Sequence, residues 1–280
     1  MIDQRDALFR LLQDDDPATL TLIKTELASR GTTAIPEFRL LLGSATPAVA
    51  RHLRDVIAQI EAGDVEAAFG RFCASFGPDG DLEEAAWRLA GIFFPGDDFS
   101  RQRALLDQWG EEVSRRLRDA ETEIDRIETL VEYLGEDTGL HGNEEDYHNI
   151  SNSLLPEVID TRGGIPISLS LIYILVGKRS GVEISGVGLP GHFIIRHGQN
   201  FFDPFFGGRR IGLEECRSRL EQQRLSLLPS HLQPVPAPQF FLRMLNNIRV
   251  IAEESDPPLA AKVAGWMDLL RSASPQAGED

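Results

Sequence analysis

Residues Asn143–Gly208 read NEEDYHNISNSLLPEVIDTRGGIPISLSLIYILVGKRSGVEISGVGLPGHFIIRHGQNFFDPFFGG. Three pieces follow one another in this stretch. A Gly163-Gly164-Ile165-Pro166 turn opens an apolar run, a β-branched run holds Pro190-Gly191-His192, and a further run carries Asp203-Pro204. Proline suits the first helical position, where its missing N–H leaves no hydrogen bond unmade, so a helix is predicted over Ile167–Arg179 with Gly181 as its cap. That helix is apolar on nearly every side until Lys178 and is expected to be buried. Ser168 and Ser170 fall near its first turn, where free N–H groups and the helix dipole stabilise an anion or a thiolate. A cysteine there, facing a His–Asp pair, would be an activated nucleophile, but no cysteine stands at these positions.

Val187–Arg196 reads as a strand with a bulge or bend at Pro190-Gly191, and Phe201–Phe205 as its return strand. The polar residues between them, His197-Gly198-Gln199-Asn200, are the expected turn. If Gly198-Gln199 is a two-residue loop, Ile194 faces Phe202 or Asp203. With Ile194 opposite Asp203, His192 lies on the same face one diagonal step away, close enough for a carboxylate to orient an imidazole. A slip of one residue would break that geometry. The competing reading makes His192 a buried, satisfied histidine and Asp203-Pro204 the start of a turn.

These pieces together resemble the transglutaminase-like superfamily, in the wording of its bacterial SirB-type branch, described as transglutaminase-like with a tetratricopeptide-repeat region. The matching residues are Gly142, Asn143, Tyr147, Asn152 and Ser153, then RGGIPISLSLIY, GVGLPGHFIIR, FFDPFFGG and the later RMLNNIRVIA, covering roughly residues 100 to 260. The resemblance implies a papain-like α+β fold in which His192 and Asp203 occupy the catalytic His and Asp positions. The family's cysteine position falls near Pro166–Ser168, where this chain has proline, isoleucine and serine. The resemblance also makes Asn143, Tyr147 and Asn152 candidates to support the His–Asp face. Arg162, just before the glycines, is a candidate to pin an acidic partner or ligand; it equally suits a salt bridge to Asp160 or Glu157. Ser168 as a replacement nucleophile needs a stronger base and an oxyanion hole, since a hydroxyl is far less acidic than a thiol. Otherwise it is a helix-start serine bonding nearby backbone.

The bounds agree with a protein of this kind. The chain has 280 residues, 42% of them hydrophobic, and 44 acidic against 28 basic side chains, for a net charge of −16. Such a balance argues against a nucleic-acid or anionic-membrane partner. The apolar run Ile165–Gly177 is too short to span a bilayer, and MIDQRDALFR lacks a signal-peptide pattern. Two cysteines, Cys73 and Cys216, without paired spacing suggest a reduced, cytoplasmic protein.

Along the chain, residues 1–95 read as a helical N-terminal domain. Asp16-Pro17 and Thr46-Pro47 open helices with Gly31 and Gly63 behind them, and Ile35–Leu42 is a helix between. That thirty-residue echo hints at helical hairpins of the HEAT kind; an ordinary helical domain fits equally well. Asp64 and Asp81 are further N-cap candidates. Cys73, spaced among Phe69, Phe72 and Phe76, reads as a small buried hydrophobe. Helices are expected over Phe99–Arg118 and about Glu121–Leu134, ahead of a polar loop, Gly135–Ser153. The loop's His141, Glu144, Glu145, Asp146 and His148 match no tight zinc spacing, so no metal or other cofactor is expected. Residues 96–228 form the transglutaminase-like core, with Leu213–Leu228 a polar helix. Residues 229–272 are a proline-rich linker and a TPR-like helical hairpin (Phe240–Glu254, Leu259–Arg271), and 273–280 a disordered tail.

The fold expected is therefore α+β: a mostly helical N-terminal domain, a papain/transglutaminase-like core with a small antiparallel sheet, and a C-terminal helical hairpin. Two functions remain. One is a non-catalytic module, leaning away from enzyme, that binds a protein or peptide partner. The other is a hydrolase or acyl-transferase using His192 and Asp203 with Ser168 as nucleophile. Partner identity and oligomeric state cannot be read from the sequence.

Overall fold

The computed structural model describes residues 2–13 and 16–274. The chain is mostly helical and divides into two compact units, residues 1–71 and 72–280. In the first, α1 (Ile2–Leu11), α2 (Pro17–Ala28) and α3 (Ile35–Leu42) precede α4 (Pro47–Ser75), which carries the chain into the second unit. Asp16 starts α2 as expected, its carboxylate accepting from Thr19 N at 2.9 Å. Phe38, Val49, Leu53 and Val56 form this unit's core. Gly63 and Asp64, expected to stop one helix and start another, lie inside α4. A lone glycine costs a helix only about 1 kcal/mol, and the buried stripe Leu53, Val56, Ile60 continues past it to Phe69 and Cys73.

The second unit holds the mixed part of the fold. It opens with α5 (Leu82–Phe93), α6 (Ser100–Arg116), α7 (Glu123–Glu132) and α8 (Leu155–Thr161). Asp81 caps α5 through Glu83 N and Glu84 N. Thr122 and Asp125 form a reciprocal capping box on α7. A short parallel pair, β1 (His141–Gly142) with β2 (Gly163–Gly164), ties the polar loop to the start of α9 (Pro166–Ser180), which Gly181 ends in the left-handed region. A four-stranded antiparallel sheet follows in sequential order: β3 (Ser185–Leu189), β4 (His192–His197), β5 (Asn200–Asp203) and β6 (Arg209–Ile211). Then come α10 (Leu213–Gln222), α11 (Ala237–Ser255) and α12 (Pro257–Ala273), the last two packed on each other. The helix α5, which the sequence reading grouped with the N-terminal domain, packs within this second unit against α8 and α11.

Three expectations change here. Val187–Arg196 is not one bent strand but a hairpin, with Leu189 paired to His192 across a Pro190-Gly191 turn. Gly191 has φ +68°, the conformation that a proline–glycine reverse turn requires of its second central residue. The return strand ends at Asp203, not Phe205, because Asp203 accepts from Phe205 N and folds Pro204–Phe206 into a 3₁₀ turn. Residues 273 and 274, placed in a disordered tail by the sequence, belong to the fold: α12 runs through Ala273, and Ser274 Oγ donates to Phe76 O at 3.1 Å. The rest of that tail, 275–280, lies outside the described residues.

The β4–β5 register matches the reading that joins His192 to Asp203. Ile195 pairs with Phe202 and His197 with Asn200 across a two-residue Gly198-Gln199 loop, which puts Ile194 opposite Asp203. Alternation then assigns Phe193, Ile195 and Phe202 to one face, where Phe240 of α11 meets Phe193 with ring centroids 4.8 Å apart. Ile194 and Phe201 face the other way, into a core with Val187, Cys216 and Leu220. His192 and Asp203 belong to that second face, the one covered by α10.

Candidate functional site

Asp203 is fully buried at the end of β5, and its two oxygens have different duties. Oδ1 accepts from Phe205 N at 3.2 Å and so starts the 3₁₀ turn. Oδ2 accepts from His192 Nε2 at 2.9 Å and from the Arg219 guanidinium at 2.9 Å. A buried carboxylate needs such partners, since its desolvation is otherwise unmet. With Nε2 donating to the carboxylate, Nδ1 is the ring nitrogen left to meet another group. No hydrogen bond among the described residues engages it. This is an oriented acid–base pair, able to take a proton from a group placed at Nδ1.

Arg219 was not foreseen. It reaches Asp203 from α10, sixteen residues on, and also holds Glu215 at 3.2 Å, which in turn pairs with Arg209 at 2.5 Å. The Arg209 guanidinium, and then Arg219, hold the Glu215 carboxyl below its usual range against the opposing effect of burial. Both guanidiniums also lie over the Phe206 ring, at 5.7 and 5.5 Å. No local signal in a polar helix points to a residue on a distant strand. The one clue was that Arg219 follows Cys216 by one helical turn and adjoins Leu220, which places it at the border of the buried stripe.

An aromatic group surrounds the imidazole. The Phe205 ring lies 6.2 Å from His192, 6.0 Å from Tyr147 and 5.3 Å from Phe206. It rests directly on Gly142, where any Cβ would come within 2.5 Å of its ring atoms. Phe205 is buried, whereas Tyr147 and Phe206 are exposed at 38% and 45%, so the group presents two aromatic edges to solvent beside two arginines.

The remaining candidates serve the helix start. Ser168 is buried; its Oγ donates to Asn152 O at 2.6 Å, is 3.0 Å from Ile165 O, and accepts from Ile165 N at 3.1 Å. No hydrogen bond among the described residues links it to His192 or Asp203. Asn152 is also buried and stitches the polar loop: its amide donates to Asp146 O at 2.6 Å and its Oδ1 accepts from Asn143 at 3.0 Å. Asn143 and Asn152 thus shape the loop that carries Tyr147. Arg162 does not pair with Asp160 or Glu157. It caps α8 from just beyond Thr161 at φ +66°, donates to Ile159 O, and lays its guanidinium 4.6 Å over Trp109. Asp160 is met instead by Gln102 and Arg101.

Three buried hydroxyls, Ser153, Ser170 and Tyr173, have no hydrogen-bond partner among the described residues. Tyr173 packs against Gly208, and burial, aided by the charge of Asp203, raises its phenol far above the ordinary value. Neither cysteine is an activated thiol: Cys73 is pushed up to about 12 by burial, and Cys216 is raised for the same reason. Among the described residues no group of three or more His, Cys, Asp or Glu is placed to hold a metal ion. None of the described helices is long and apolar enough to cross a membrane.

Residues 101–246 match the family model described as the transglutaminase-like superfamily. A UPF0162 protein of Xylella fastidiosa is 30% identical over 210 residues, covering 71% of this chain and 75% of the relative. A UPF0162 protein of Pseudomonas aeruginosa is 26% identical over 194 residues, 68% of this chain and 71% of its own. F-box only protein 21 of Mus musculus is 29% identical over 135 residues, 44% of this chain but 21% of that protein. No solved structure matches. The matched segment contains α6 through most of α11, and with it His192, Asp203, Arg219 and the Ser168 helix start; on that ground the chain belongs to the transglutaminase-like superfamily.

Proposed function

We propose that this is a transglutaminase-like protein without the nucleophilic cysteine, acting as a non-catalytic module that binds a protein or peptide partner at the His192 face. The observation that carries the reading is the state of Ser168. Its hydroxyl is buried and committed to the backbone of Asn152 and Ile165, in the place where the superfamily's resemblance puts a nucleophile. The exposed edges of Tyr147 and Phe206, flanked by Arg209 and Arg219, supply aromatic and arginine anchors of the type that dominate binding surfaces. Within the superfamily we place the chain in the SirB-type branch, with α11 and α12 as the start of a tetratricopeptide-like region, working in the cytoplasm.

A second reading has one observation in its favour. The 2.9 Å His192–Asp203 bond is what a hydrolase or acyl-transferase would need to deprotonate a serine. A fluorophosphonate probe separates the two. Under the binding reading Ser168 stays unlabelled. Labelling of Ser168 that disappears in His192→Ala would establish the serine enzyme and overturn our proposal. The binding itself is tested by selecting peptides from a displayed library against the full chain. Phe206→Ala and Tyr147→Ala should each weaken a selected peptide by about tenfold, the loss of roughly 1.4 kcal/mol. Affinities unchanged in both variants would remove the His192 face as the binding surface.

A further inference from the structure

Three rings border Phe205 on the His192 face: His192 itself, Tyr147 and Phe206. They meet it edge-to-face, with interplanar angles of 81°, 64° and 82°. That is the arrangement aromatic quadrupoles favour. Tyr147 and Phe206 both leave ring surface uncovered, so a further ring can join the group in the same geometry.

The imidazole adds one polar point to this apolar setting. Asp203 accepts from Arg219 and from Phe205 N as well as from His192, the pattern of an ionised carboxylate, so Nε2 carries a proton whether or not the ring is charged. Nδ1 remains. The buried side-chain atoms without a hydrogen-bond partner among the described residues are His52 Nδ1, Ser153 Oγ, Ser170 Oγ and Tyr173 Oη. His192 Nδ1 has no hydrogen bond among the described residues either, yet it is not one of these sealed atoms, and 12% of its side chain is exposed; Nδ1 therefore opens to solvent.

The occupant that suits this face carries a ring and one small polar group. At Nδ1 a neutral imidazole offers a lone pair and a protonated one an N–H. A carboxylate meets only the second and an ammonium ion only the first, whereas a hydroxyl donates and accepts and so meets both. Charge favours neither ion. An acidic segment is repelled by the chain's net charge of −16. An ammonium ion would sit beside the guanidiniums of Arg209 and Arg219, which lie over the Phe206 ring. Those guanidiniums are already matched by Glu215 and Asp203, so they leave no free cation for a carboxylate. Tyrosine is the amino acid that joins an aromatic ring to a hydroxyl.

We propose that the partner inserts a tyrosine at this face, its ring edge-to-face with Phe206 or Tyr147 and its hydroxyl on His192 Nδ1. The proposal rests on the reading of the His192 face as a binding surface and names what that surface selects. The test is an NMR titration of the full chain, isotopically labelled at histidine nitrogen, with N-acetyl-tyrosinamide and separately with N-acetyl-phenylalaninamide. The tyrosine probe is expected to bind about fivefold more tightly, the worth of one hydrogen bond, and to move the His192 Nδ1 resonance much further than the phenylalanine probe does. His192→Gln keeps an N–H for Asp203 but presents no ring nitrogen at the Nδ1 position, and should bring the two probes to equal affinity. Circular dichroism checks the folding of that variant, and the Nδ1 resonance of the parent chain decides the matter if it does not fold. Equal affinities in the parent chain, with the ring signals of Tyr147 and Phe206 displaced by both probes, would overturn the tyrosine and leave the binding surface standing. Binding of neither probe, tyrosine binding that leaves Nδ1 unmoved, or a preference that survives in folded His192→Gln would also overturn the proposal. The binding surface itself then stands or falls on the selected peptides and their Phe206→Ala and Tyr147→Ala tests.

Discussion

The start of α9 and the end of β5 are both buried and both polar, yet they satisfy their polar groups in opposite ways. At the helix start, the Ser168 hydroxyl is consumed by backbone: it caps Ile165 N and ties down Asn152 O. At the strand end, the Asp203 carboxylate gathers side chains from two other elements, His192 and Arg219, and leaves the imidazole with a ring nitrogen to spare. The first arrangement is closed to chemistry; the second is built like the base of a catalytic group. On the function we propose, the difference means that this chain keeps the acid–base half of a triad and uses the nucleophile half as a structural joint.

The comparison is broken most easily at Asp203. Asp203→Ala leaves Phe205 N–H unmet and the partly exposed Arg219 guanidinium with Glu215 as its remaining carboxylate, and should cost about 3 kcal/mol in urea unfolding; a loss under 1 kcal/mol would mean the pair contributes nothing to the fold. Next is Gly142→Ala, whose added Cβ must displace the Phe205 ring. It is expected to cost roughly 1–3 kcal/mol and to shift the ring-current-sensitive NMR signals of Tyr147. Ser168→Ala removes the hydroxyl that serves Asn152 O and Ile165 N and leaves them only their own 3.4 Å bond, for about 2 kcal/mol, and should leave peptide binding at the His192 face intact. His192→Ala is the mild change at the site, at about 1 kcal/mol, because Asp203 retains Arg219 and Phe205 N–H. If Ser168→Ala proves cheaper than His192→Ala, the assignment of joint and base is reversed.

The smallest effect is acid-linked. Glu215 has a lowered pKa in the folded chain because Arg209, followed by Arg219, stabilises its charged form. A depressed carboxyl stabilises the fold above its unfolded value and loses that contribution as pH falls towards the folded one. Arg209→Gln should therefore flatten the acid limb of a stability–pH curve below about pH 4.5 and leave stability near neutrality less dependent on Glu215. An acid limb identical to that of the parent chain would exclude Arg209 as the source.

Much of the site was legible because its geometry is local. Gly198-Gln199 makes a two-residue loop, and a loop of that length narrows the register to two choices, one of which brings His192 and Asp203 together as the structure does. The proline at position 166 and the glycine at 181 bracket α9 for the same reason. Pro190-Gly191 shows the limit. The dipeptide is compatible with a bend in one strand or a reverse turn between two, and the choice falls to the hairpin because Leu189 pairs with His192 while Arg243 of α11 donates to the carbonyls of both. Gly63 shows it again: a local stop signal yields when the buried face of a long helix continues beyond it.

By itself the amino-acid order determined the apolar helix, the turn of the β4–β5 hairpin with its register left between two choices, the absence of a cysteine at the helix start, and the resemblance to a family, since each depends on neighbours a few positions apart. Only the tertiary structure decided that Arg219 holds Asp203 and that Ser168 is spent on the backbone of Asn152. Those outcomes depend on which side chains meet after elements far apart in the chain have packed. Such meetings are selected by burial and hydrogen-bond satisfaction across the whole core, and leave no pattern within any single segment.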